Sequence, residues 1–215
     1  MNSSVTLLRT LLLALIALPF APESAIADEP GNTNSLPPCC RKSLPAGPVT
    51  DTSLYLLESQ WTSDVQSGIR LEVLRGRPQV VAMFFTQCEY ACPILVNELR
   101  RLESALPVGL KGQVDFLLVS FDTERDNAMA LAKFRLTQQL GNEHWTLLTG
   151  RSDDVRELAA LLGVSYQKDA RGQFSHSNLI TVLNKEGEVA RQFVGLRLPL
   201  DEVLRLLEMM VPAPR

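Results

Sequence analysis

The sequence predicts an α/β domain, a three-layer arrangement with a central mixed sheet and an added N-terminal β-hairpin. Three observations carry this. Gln79 to Phe85 (QVVAMFF) and Val114 to Phe121 (VDFLLVSF) are continuous apolar runs of strand length, the pattern of central strands buried on both faces. Between them, Leu95, Leu99, Leu102 and Leu106 recur at helical spacing. Toward the C-terminus, Leu179 to Leu183 and Val189 to Val194 are strand-like runs joined by the turn Asn184-Lys185-Glu186-Gly187.

The bulk properties agree. The 215 residues are 46% hydrophobic and 21% charged, which fits one globular domain of ordinary size and argues against wholesale disorder. A net charge of −3 removes the simplest electrostatic case for binding nucleic acid. Four cysteines are too few for a disulfide-built scaffold and enough for one metal or redox site. The two histidines, His144 and His176, exclude a site built on three imidazoles.

Leu11 to Ala21 is almost wholly apolar, follows Arg9 and leads to Ala25-Ile26-Ala27 before Asp28. This is the layout of a cleavable secretory signal over residues 1–27. The run is too short to span a bilayer, which needs roughly 20 residues, and Pro19 interrupts it. The alternative is an uncleaved N-terminal anchor. Neither an Arg-Arg pair nor a lipoprotein cysteine accompanies the run. The expected destination is periplasmic or otherwise extracytoplasmic, reached through the general secretory route. Residues 28–50 hold Pro30, Pro37, Pro38, Pro45 and Pro48 without apolar periodicity, and read as a flexible tether. The tether carries the adjacent pair Cys39-Cys40.

The domain proper covers residues 51–215. Ser53 to Trp61 and Ile69 to Leu74 read as short strands around a turn. Gly76-Arg77-Pro78 is a turn before the strand Gln79–Phe85, and Pro93 to Leu106 is a helix. After the strand Val114–Phe121, Thr123 to Leu140 reads as a helix ending at Gly141, and Trp145 to Leu148 as a strand. Ser152 to Leu162 is a helix with Asp153 and Asp154 in its first turn and Gly163 closing it. Pro199 to Met210 closes the chain as a helix. This is the thioredoxin-like order of elements with an N-terminal hairpin added.

Chemistry concentrates in Cys88-Glu89-Tyr90-Ala91-Cys92-Pro93, where a buried strand passes into a helix, the usual place for sites in open α/β sheets. Pro93 suits the first helical position, with Cys92 just outside the helix. Unpaired N–H groups and the helix dipole there favour thiolate over thiol. Three residues separate the cysteines, where thioredoxin-type oxidoreductases have two. The longer loop can close a disulfide or hold both sulfurs around a soft ion such as Cu(I), or around zinc. A plain disulfide staple is the structural alternative. His176 precedes the strand Leu179–Leu183 and is expected at the same end of the sheet. Thioredoxins place a cis-proline in that loop, whereas this chain has no proline between Pro107 and Pro199. Two thiolates and an imidazole make a sound copper set, and a surface histidine is the alternative. His144, beside Trp145, reads as structural. A peroxidase reading is weaker, because Thr86 lies only two residues before Cys88.

Together these motifs resemble the Sco (SenC) family of copper-binding assembly factors for cytochrome c oxidase. The resemblance runs from about Leu54 to Val194. It is carried by Gly76-Arg77-Pro78, FTQCEYACP (Phe85–Pro93), SFDTERD (Ser120–Asp126), WTLLTG (Trp145–Gly150), His176-Ser177 and Gly187. It implies a thioredoxin-like fold and copper, as Cu(I) or Cu(II), held by Cys88, Cys92 and His176. It also implies a role in assembling the dinuclear CuA centre, by delivering copper or by keeping the target cysteines reduced. The expected partners are a CuA-bearing oxidase subunit or a related copper protein, with an upstream copper donor or thiol reductant. The alternative function is a thiol–disulfide oxidoreductase in which Cys88 and Cys92 are the redox-active thiols, so whether the chain is an enzyme stays open. Membrane contact is expected only through the partner or an uncleaved signal. Asp122 matches an acidic position of the family, although helix capping by Asp122 and Thr123 is the simpler reading. Ser175 stands where the family usually has an acidic residue, which removes a candidate hydrogen-bond partner for the histidine. The pair Cys39-Cys40 is no requirement of the family.

Overall fold

The computed structural model describes residues 53–65 and 67–211. The signal, the tether and Cys39-Cys40 lie outside the described residues. Among the described residues, no helix is long and apolar enough to cross a membrane.

A seven-stranded mixed sheet organises the domain in the order β2 (Ser67–Ile69), β1 (Trp61–Ser63), β5 (Trp145–Gly150), β4 (Asp115–Ser120), β3 (Gln79–Phe84), β8 (Leu179–Leu183) and β9 (Val189–Val194). Its centre is β3 (Gln79–Phe84), β4 (Asp115–Ser120) and β8 (Leu179–Leu183). All six residues of β3 and all five of β8 are buried, as their continuous apolar runs predict. β3 pairs in parallel with β4, and β4 with β5 (Trp145–Gly150). β8 runs antiparallel to β3 and forms a hairpin with β9 (Val189–Val194), turning at Gly187, whose φ of +85° suits glycine. Two βα units connect the parallel strands through α1 (Ala91–Ala105) and α2 (Ala128–Thr137). α1 meets the closing helix α4 (Leu200–Met210), while α3 (Ser152–Leu161) packs against β5. The α1 leucines at positions 95, 99 and 102 are buried to 1% exposure or less.

The N-terminal part differs from expectation. Ser53 to Trp61 is no strand: Leu54–Leu56 is a 3-10 turn capped by the Ser53 hydroxyl, which accepts the Tyr55 N–H at 3.1 Å. Neighbouring Leu54 and Tyr55 are both buried, a pattern that alternation cannot produce. The hairpin exists but is shorter and shifted, with β1 (Trp61–Ser63) antiparallel to β2 (Ser67–Ile69) and to β5. Leu71–Leu74 is a second 3-10 turn that buries only Leu71, while Val73 is exposed. Gly150 matters here because a Cβ on it would lie 2.8 Å from the Trp61 ring.

Two further corrections bear on the site. The helix expected over Thr123–Leu140 begins only at Ala128, where the Asn127 side chain accepts the Ala130 N–H at 3.0 Å. Asp122 and Thr123 therefore cap nothing, and residues 122–126 form a turn closed by Asp126 N–H to Asp122 O at 2.9 Å. The sequence also gave no hint of the small separate hairpin β6 (Tyr166–Lys168) and β7 (Phe174–His176), which carries His176 at its end.

Candidate metal and thiol centre

The register of the sheet brings the three predicted residues together. Phe84 at the end of β3 lies beside Ser120 at the end of β4, and antiparallel β8 begins at the same edge. Cys88 follows β3 by four residues and His176 precedes β8 by three, so both must come to this edge. The ligand atoms of Cys88, Cys92 and His176 all lie within 4.8 Å of one another, with Cys92 Sγ 3.9 Å from His176 Nε2. Three atoms sharing one ion through bonds of roughly 2.0–2.3 Å sit about 3.5–4 Å apart, a spacing that the Cys92–His176 pair at 3.9 Å already has.

The two cysteines are free thiols in unlike settings. α1 starts at Ala91, so Cys92 is inside the first turn rather than just outside it, and Pro93 occupies the third position. Both placements are tolerated because no N–H of the first turn has an intrahelical partner. One of those N–H groups, that of Cys92, donates to Cys88 Sγ at 3.2 Å. Cys88 is partly exposed, whereas Cys92 is fully buried. The Cys92 thiol donates to Cys88 and pulls the Cys88 pKa down to about 4, against the opposing effect of burial and with help from His176 and backbone N–H groups. The same hydrogen bond, followed by burial, pushes the Cys92 thiol far up. Only Cys88 is lowered, then, and chiefly by the Cys92 thiol rather than by the helix end.

His176 is 8% exposed and sits against aromatic rings. The Phe121 centroid is 5.1 Å and the Phe85 centroid 6.1 Å from its own. Its Nδ1 lies 3.2 Å from the Ser177 backbone oxygen, which orients the ring and turns Nε2 toward the sulfurs. A backbone carbonyl thus supplies the hydrogen-bond partner that Ser175 was expected to leave missing.

Sequence reasoning missed the role of Asp126. Its buried carboxylate accepts the Thr86 N–H at 2.9 Å, the Thr86 hydroxyl at 2.5 Å and the Ser120 hydroxyl at 2.5 Å. It thereby anchors the chain two residues before Cys88. Aspartate at the end of SFDTERD, six residues after a strand-end serine, was the available signal. His144 is remote and structural, with Nδ1 2.9 Å from Asp115.

A low-pKa thiol with a buried thiol and an imidazole beside it, held at the end of a thioredoxin-like sheet, defines a class of proteins that handle soft metal ions or exchange disulfides. The sequence profile of the SCO1/SenC family matches residues 56–211. The chain belongs to the SCO1/SenC family. A Stutzerimonas stutzeri protein whose name proposes copper binding is 28% identical over 140 residues, covering 63% of this chain and 67% of its own. The copper-bound structure of Bradyrhizobium japonicum ScoI superposes with a TM-score of 0.60 at 20% identity, over 71% of this chain and 96% of that one. BsSco, described as a Sco-family cytochrome c oxidase assembly protein with a disulfide switch, gives a TM-score of 0.61 at 23% identity, over 76% and 97%.

Proposed function

We propose that this chain is an extracytoplasmic copper chaperone that takes copper as cargo on Cys88, Cys92 and His176. It would pass the metal to a CuA-bearing subunit of cytochrome c oxidase or a related CuA protein. The observation that carries this reading is the convergence of two sulfurs and one imidazole nitrogen within 4.8 Å. Thiolate and imidazole suit Cu(I), and a binding site in which Cys88 is already a thiolate needs to lose one thiol proton, that of Cys92. Family membership and the copper-bound relative support the cargo, and the signal-like residues 1–27 with the tether 28–50 support export.

The asymmetry of the thiols favours a second reading beside it. The Cys88 thiolate attacks a target disulfide and releases one target thiolate. Cys92 then attacks the mixed disulfide, leaving Cys88–Cys92 oxidised and the target as a dithiol. The relative with a disulfide switch fits this use.

The test mixes copper-loaded protein with a reduced CuA-bearing domain and follows the metal by native mass spectrometry. Copper should move to the target from the wild type, and His176→Ala, left with two sulfurs, should hold copper more weakly and deliver far less of it. If instead an oxidised target gains thiols from both proteins and copper never moves, the oxidoreductase reading stands and the chaperone reading falls.

A further inference from the structure

We propose that Arg125 is the positioning residue of this site: its guanidinium clamps the hairpin that carries His176 onto the segment that carries Cys88. The inference rests on the reading of Cys88, Cys92 and His176 as one binding site.

The need for a clamp follows from topology. β6 and β7 form a sheet of two strands that pairs with no strand of the main sheet. An isolated two-stranded hairpin is marginal in water, so its position depends on tethers from outside. Close to His176 these tethers are aromatic: the Phe174 centroid lies 5.2 Å from that of Phe85 and 5.1 Å from that of Phe121. Such ring contacts resist separation but permit sliding and tilting. At the turn of the hairpin the tether is directional. Arg125 Nη2 donates to the Gly172 carbonyl at 2.7 Å, four residues before His176. Nη1 donates to Gln87 Oε1 at 3.3 Å, next to Cys88. The guanidinium also lies 5.7 Å from the Phe174 centroid and 6.0 Å from that of Phe85, one ring from each side of the clamp.

The arginine is itself held. Its Nε pairs with Asp122, whose side chain is 1% exposed. A planar, forked cation is the side chain able to meet a carboxylate, a carbonyl and an amide oxygen at once. Lys168 and Glu124 form a second link between hairpin and turn at 2.6 Å, but Glu124 is largely exposed and such a pair contributes little. Asp122, which sequence analysis assigned to helix capping, here orients the clamp.

The test compares the wild type with Arg125→Met and with the double variant Asp122→Asn/Arg125→Met, which leaves no unpaired buried carboxylate. Two quantities are read. Hydrogen exchange at the Asp169 and Gly172 amides, both hydrogen-bonded within the hairpin turn, should speed up about tenfold or more while β4 and β8 amides stay unchanged. Cu(I) affinity should fall about tenfold, the scale of an outer-shell partner, and should fall no further when the same changes are made in a His176→Ala background. Unchanged hairpin exchange in both variants overturns the proposal. So does an equal loss of affinity with and without His176, since Arg125 would then not act through that residue. If His176→Ala alone leaves Cu(I) affinity intact, the three-ligand reading fails, and the exchange measurement alone decides the clamp.

Discussion

Strands β3, β4 and β5 run parallel, and each end of this trio holds one of the chain's two histidines. At the N-terminal end, His144 meets a carboxylate: Nδ1 lies 2.9 Å from Asp115, which Arg77 also approaches at 3.5 Å. Nearby, Trp145 Nε1 donates to Glu103 at 2.9 Å. At the C-terminal end, His176 Nε2 faces a sulfur at 3.9 Å, too far for a strong hydrogen bond and close enough to share an ion. The imidazole is the same in both places. The partners decide whether it closes a polar network or faces soft donors with a ring nitrogen.

The comparison breaks most sharply at the thiols. Replacing Cys88 or Cys92 with Ser should abolish retention of Cu(I) against a competing chelator, whereas His144→Gln should leave retention unchanged. A Cys92→Ser protein that still holds copper with wild-type affinity would remove the distinction between the two ends.

Asp126 comes next. Changing it to Ala leaves buried donors on Thr86 and Ser120 without an acceptor, and should cost roughly 2–4 kcal/mol in denaturant unfolding. A smaller loss of below about 0.5 kcal/mol would mean that this network does not hold the end of β3 in place.

The thiol chemistry sharpens the comparison through pH. Cys88 should be alkylated by iodoacetamide at a rate nearly flat from pH 8 to pH 5, falling only near pH 4, with Cys92 protected. The folded pKa is depressed below the ordinary thiol value of about 8.5. The stabilisation from the Cys88 thiolate is therefore fully present above about pH 8.5, and is lost as pH falls through about 4. A midpoint near 8.5 would contradict the hydrogen bond from Cys92. Copper binding near neutral pH should release about one thiol proton, from Cys92, measurable by calorimetry in buffers of different ionisation enthalpy.

The smallest effect belongs to His144→Gln, which should change stability by about 1 kcal/mol or less, since its imidazole is only half-buried and its partner Asp115 keeps Arg77 nearby.

The core of this layout was legible in the sequence because continuous apolar runs leave few alternatives. β3, β4 and β8 stand where QVVAMFF, VDFLLVSF and LITVL predict them. Cys88, Cys92 and His176 were legible as a set because strand order alone brings their loops to one edge. Less legible were features set by tertiary contact. Leu54 and Tyr55 form a turn because both pack into the core, with Tyr55 against Gly187, where a Cβ would lie 2.5 Å from the ring. The β6–β7 hairpin escaped notice because Tyr166-Gln167-Lys168 and Phe174-Ser175-His176 are short and largely polar. Asp122 looks like a capping residue in sequence, and only the fold shows it bound to Arg125 and Asp126 bound to Thr86.

The central claim is that His176 completes a copper site begun by two cysteines. X-ray absorption of the Cu(I)-loaded protein tests it most directly. The expected spectrum shows two sulfur neighbours and one nitrogen in the wild type, and only the two sulfurs in His176→Ala. Two sulfurs alone in the wild type, or a nitrogen that persists in His176→Ala, would contradict it.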